Sequence, residues 1–148
     1  MKMFTTPTLA LLAATLAWSP AAAQSSEEMR PLRDVIGDGE APASYIGTRC
    51  AAFFVATTEA MGSLIDPEMS QQSDGIARAF LASAIDAMQA EGMSPDAADE
   101  AARQQARDLT AAYNARFAAN RAAGNPAYST DPVFFADNAD CLAVLTGE

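Results

Sequence analysis

From residue 44 onward, apolar residues recur at steps of three and four, the spacing of a helix that buries one side. Ile46, Cys50, Phe53, Thr57, Met61 and Leu64 form one stripe over about Tyr45 to Leu64. Met69, Ile76, Phe80, Ala84 and Met88 form a second over about Pro67 to Glu91, with Gly75 its weak point. A third, over about Pro95 to Ala123, carries Ala98, Ala102, Ala106, Leu109, Tyr113 and Phe117. The fourth, over about Pro132 to Leu145, carries Phe134, Cys141, Leu142 and Leu145. Alternating runs of strand type are absent. The pattern predicts an all-α fold, a small four-helix bundle.

The boundaries are written in the same residues. Asp66-Pro67, Ser94-Pro95 and Asp131-Pro132 each set a capping oxygen before a proline. The oxygen can accept from orphan N–H groups of the first turn, and proline suits the first helical position, where its missing N–H had no partner anyway. Ser44 is expected to cap the first helix in the same way. Gly92 and the run Gly124-Asn125-Pro126 mark stops.

The chain before residue 44 has no helical period. Lys2, the 12 uncharged residues from Pro7 to Trp18, and Ala21-Ala22-Ala23 after Ser19-Pro20 read as a secretory signal peptide over 1–23. A membrane span needs roughly 20 apolar residues, so cleavage before Gln24 is expected, with no membrane anchor afterwards. Residues 24–43 are polar and rich in Gly and Pro, and are expected to be a flexible leader. The helical domain is then 44–148, and the compartment is the periplasm or the exterior.

Removal of the signal leaves eight basic against nineteen acidic residues, a net charge of −11, and every remaining base is Arg. Such a surface repels phosphate backbones and anionic lipid, which disfavours nucleic-acid and membrane-surface roles. Alanine, about a fifth of the exported chain, favours helix and lets helices approach closely. It buries little area, so the aromatic positions must supply much of the core.

Two cysteines in an exported chain normally form a disulfide. Cys50 with Cys141 would join the first and last helices and close a loop of about 90 residues, worth roughly 4 to 5 kcal/mol in the chain-entropy model. No CxxC spacing suggests a redox or metal-binding thiol pair instead.

The chain has no histidine, which removes His-activated nucleophiles and His-rich zinc or haem sites. Phosphate-loop, dinucleotide and calcium-loop patterns are absent, and no cofactor is expected. Carboxylates remain: a glycosidase-like pair could be drawn from Glu59, Asp74, Asp86 and Glu91, but nothing in the sequence singles one out. Arg103, Arg107 and Arg121 share one side of the third helix and form the one basic row of an acidic chain. They are candidates for contact with an anion or a partner, against the simpler reading of pairing with acids such as Asp99.

Arg49-Cys50-Ala51 on the first helix and Asp140-Cys141-Leu142 near the end resemble the arrangement in small exported helical immunity proteins that protect bacteria from type VI amidase effectors. The resemblance covers those two stretches, carries no functional residue across, and implies an inhibitor of another exported protein. Three functions therefore compete. First comes a small exported protein acting by protein–protein contact, of inhibitor, immunity or accessory type. The second is a carrier of a small apolar ligand in an interhelical cavity. The third, and weakest, is a carboxylate-based hydrolase, and the residues lean against an enzyme. Partner identity and oligomeric state are not written in the sequence.

Overall fold

The computed structural model describes residues 29–128 and 130–147. The signal segment 1–23 with Trp18 and its cleavage site, and leader residues 24–28, lie outside the described residues. Among the described residues there are five α-helices and no strand. They are α1 (Leu32–Gly37), α2 (Ala43–Met61), α3 (Pro67–Ala90), α4 (Pro95–Ala122) and α5 (Pro132–Thr146), with a 3-10 turn at Gly62–Leu64 after α2. The expected all-α bundle is present, and its four long helices sit where the hydropathy pattern puts them.

The cap-proline starts work as their chemistry requires. Asp66 accepts from the backbone N–H of Glu68 and Met69, Ser94 from that of Ala97, and Asp131 from those of Val133 and Phe134. Gly92, at φ 101°, provides the left-handed residue after α3. Ser44 is not a cap. Helix α2 begins one residue earlier behind Pro42, with no side-chain cap, and the buried Ser44 instead donates to Glu91 at the end of α3.

Helix α2 is the spine, packing against α3, α4 and α5, while α3 packs on α4 and α1 on α5. Phe53, Tyr113 and Phe117 are buried, with Phe134 and Tyr128 against them. Phe53 meets Tyr113 edge-on with ring centroids 5.7 Å apart, and Tyr128 stacks on Phe134 at 4.8 Å. Gly47 marks the closest approach of α2 to α3. A Cβ there would lie 2.9 Å from both the Ala84 Cβ and the Phe80 carbonyl oxygen.

The apolar stripes end earlier than their spacing suggests. Gly62, at φ 52°, breaks α2 and leaves Leu64 85% exposed. Met69 is exposed too, since the buried side of α3 starts only at Ala77. The larger correction concerns the leader. Residues 29–42 are not a free spacer, because Met29, Leu32 and Val35 are buried and α1 lies against α5. Three apolar side chains at three-residue steps suffice there, since their partners come from distant helices.

Candidate functional site

Helices α2 and α5 are fastened twice. Cys50 and Cys141 form a disulfide with an S–S distance of 2.01 Å and Cα atoms 5.5 Å apart, across 91 positions of sequence. Both are fully buried. One residue before Cys50 and one turn before Cys141 lie Arg49 and Asp137, each with a fully buried side chain. Arg49 Nη2 and Nε donate to Asp137 Oδ2 at 2.7 and 2.9 Å, and Nε also lies 3.2 Å from the Tyr113 hydroxyl. Arg49 Nη1 donates to the Tyr45 hydroxyl at 3.0 Å, and Nη2 to the Arg30 carbonyl oxygen. Asp137 further accepts from the Tyr113 hydroxyl and, at 2.7 Å on Oδ1, from the Leu32 backbone N–H.

The electrostatics follow from burial set against these partners. Burial works against the Arg49 charge, but the oxygens of Tyr113, Asp137 and Tyr45 outweigh it and hold the guanidinium above its ordinary value. Burial pushes the Asp137 carboxyl up, against the pull of Arg49, the Tyr113 hydroxyl and the Leu32 N–H. Tyr113 is driven well up by burial and then by Asp137, so it stays a donor. With every strong donor paired and no solvent access, this cluster holds helices together and offers no reacting group to a substrate.

The sequence reading missed Arg49 and Asp137. Asp137 sits four residues before Cys141, and Arg49 four residues from both Tyr45 and Phe53. A charge of each sign on two stripes that a disulfide brings together was the available clue.

The four candidate acids lie on the surface, where none is desolvated as a general acid needs. Glu59, Asp74, Asp86 and Glu91 are all exposed, and Glu59 accepts from the Asn114 amide at 2.6 Å. The buried carboxylates among the described residues are Asp131 and Asp137, both paired with Arg. Among the described residues no group of His, Cys, Asp and Glu is arranged to hold a metal ion, and no helix is long and apolar enough to cross a membrane.

The basic row divides. Arg103 forms a two-pronged pair with Asp99 at 2.8 and 2.9 Å, the pairing its spacing suggested. Arg107 donates to Gln104 at 2.7 Å and lies 3.5 Å from Glu100. Both line an open groove of about 460 Å³ with Val55, Leu81, Glu59 and Asn114. Arg121 is exposed near the end of α4, about 21 Å along the helix from Arg107, and is not part of that groove.

Four of the seven exposed large apolar side chains among the described residues lie on α5. Its buried side is Val133, Ala136, Asp137 and Cys141. Leu142 and Leu145, expected in the core, are 42% and 44% exposed, and Phe135 is 54% exposed. A helix apolar on nearly every side cannot bury all of them, and the disulfide with the Arg49–Asp137 pair selects the inward face. Phe135, Leu142 and Leu145, at steps of seven and three, are left on the outward side with Asn138 and Ala139 between them and Thr146 just beyond. That side carries no charge: Asp137 points inward, and Asp140 pairs with Arg33 at 3.1 Å. Leu145 also borders an open groove of about 360 Å³ lined by Ile46, Phe80, Ser83 and Val144.

No protein-family model, curated protein or solved structure matches the chain.

Proposed function

We propose that this chain acts by protein–protein contact, as an inhibitor, immunity or accessory protein for another exported protein, with the outer face of α5 as the contact surface. The observation that carries the reading is the uncharged apolar stripe Phe135–Leu142–Leu145, exposed on a chain with 28 charged residues and a net charge of −10. Exposed aromatic and aliphatic side chains on one side of a helix are typical anchors of an interface. The groove beside Leu145 offers a recess into which a partner's apolar side chain fits. A disulfide and an N-terminal segment of signal-peptide character support a periplasmic or secreted location. The ligand-carrier reading draws less support, since the grooves beside Leu145 and beside Arg103 are open and an enclosed void is what a small apolar cargo needs.

The test uses the purified protein as bait in a periplasmic extract of its host. The wild type is compared with Phe135→Asp and Leu142→Asp, whose outward positions leave the core intact. A partner held by the wild type and released at least about 30-fold more readily by either variant, with unchanged circular dichroism, is the expected result. A partner that binds the variants equally well would move the contact elsewhere, and no partner at all would count against the reading.

A further inference from the structure

The segment Met29–Pro42 packs against the part of the bundle that holds the disulfide. Leu32 is fully buried in one cluster with Cys50, Ala51, Phe80 and Cys141. Its backbone N–H is held by Asp137, the Arg30 carbonyl by Arg49, and the Arg33 N–H by Asp140 at 2.9 Å. These attachments reach side chains of α2 and α5 only. Helix α1 has six residues, far below the length at which a helix holds itself together in water, so its order derives from docking. Away from that contact its links are exposed: Arg30 pairs with Asp38 and Glu40 at 2.7 and 2.6 Å.

Most contacts within the rest of the bundle do not involve this segment. The Arg49–Asp137–Tyr113 contacts are internal to α2, α4 and α5. From that network, removing the segment takes away only the Arg30 carbonyl and the Leu32 N–H, both replaceable by water; elsewhere Asp140 loses Arg33, and the disulfide cluster loses Leu32. The aromatic cluster loses Met29 alone among its buried members, and the Ala84–Met88–Ala98–Ala102 cluster between α3 and α4 loses none. We infer that Met29–Pro42 is a lid over the Cys50–Cys141 bond, opening as a unit without global unfolding and so controlling thiol–disulfide exchange at that bond.

With the lid open, a thiolate of a dithiol attacks one protein sulfur, and the S–S bond breaks as a mixed disulfide forms. The second thiol of the reagent then closes its own disulfide and leaves Cys50 and Cys141 as thiols. Two electrons pass from the dithiol to the protein. Anything that displaces the lid would thereby expose the bond.

The experiment follows reduction by dithiothreitol of the oxidised protein recovered from expression of the full chain, in urea well below the unfolding midpoint. The wild-type rate should be nearly independent of urea, because a lid exposes little surface. Leu32→Ala should accelerate reduction at least about 30-fold, and Arg33→Glu, placed against Asp140, about 3- to 10-fold. Ala115→Gly and Ala118→Gly, exposed positions in α4, lower global stability without touching the lid and should leave the rate unchanged. A wild-type rate that climbs with urea as steeply as global unfolding does, or equal acceleration by the α4 variants, would overturn the lid. Should Leu32→Ala fail to fold, the urea dependence and Arg33→Glu decide alone.

Discussion

At the scale of single residues, the molecule turns on a buried ion pair that no surface charge count reveals. Removing one member of such a pair leaves an uncompensated charge in the interior, whereas replacing both by apolar groups can be close to neutral. Asp137→Ala is therefore expected to lower unfolding stability by about 3 to 5 kcal/mol. Arg49→Met with Asp137→Leu should cost much less than the two single changes added together. Urea denaturation at pH 7 of wild type, Asp137→Ala, Arg49→Met, Asp137→Leu and the double variant checks this, and single changes costing under about 1 kcal/mol would show the pair to be solvated. Asp131 gives a pH signature. Burial raises its carboxyl, but hydrogen bonds from Arg116, Asn120 and the Phe134 N–H outweigh that and hold it below the ordinary value. Its folded pKa is thus the lower one, and the unfolded chain takes up the proton first as pH falls. The stability it contributes is complete above about pH 4 and is lost as pH falls through the folded value. The advantage of wild type over Asp131→Asn, followed by urea midpoints from pH 6 to pH 2.5, should be constant at first and then shrink. A difference that grows on acidification would reverse the sign.

Among the elements, close approach is what makes an alanine-rich bundle cohere. Gly47 lets α2 lie against the Phe80–Ala84 turn of α3, where a Cβ finds no room. Backbone and Ala84 must both shift to admit one, so Gly47→Ala should destabilise by about 1 to 3 kcal/mol, although alanine is the better helix former. The same change at Gly75, which has open space around it, should stabilise by up to about 1 kcal/mol. Thermal melts of the two variants should therefore move in opposite directions, and a shared direction would mean propensity outweighs packing. The long helices were legible because each carries its own period, and α3, α4 and α5 their own capped starts as well. Helix α1 was not: six residues show too little period, and its stability comes from α2 and α5.

For the whole molecule, the disulfide joins the second helix to the last. Closing a 91-residue separation removes unfolded-chain entropy worth about 4 to 5 kcal/mol, comparable with the net stability of a small domain. Cys50→Ser with Cys141→Ser should lower the melting temperature strongly while keeping a helical spectrum in the cold. Titration of free thiols in never-reduced protein should find none, and two reactive thiols would remove the staple. The outer face of α5 also belongs to this scale, because its exposure is set by what the rest of the bundle leaves uncovered.

The sequence by itself determined the fold class, the capped starts of three of the four long helices, the cysteine pairing and the lack of histidine. Each of these rests on local information: caps, prolines, helical period and residue inventory. Tertiary structure alone decided which side of α5 turns inward. An all-round apolar helix has no preferred face until Cys50 and Arg49 claim Cys141 and Asp137. It decided, too, that residues 29–42 dock and that Arg103 and Arg107 share a groove from which Arg121 is absent. Those outcomes depend on partners tens of residues away, whose positions no local pattern encodes.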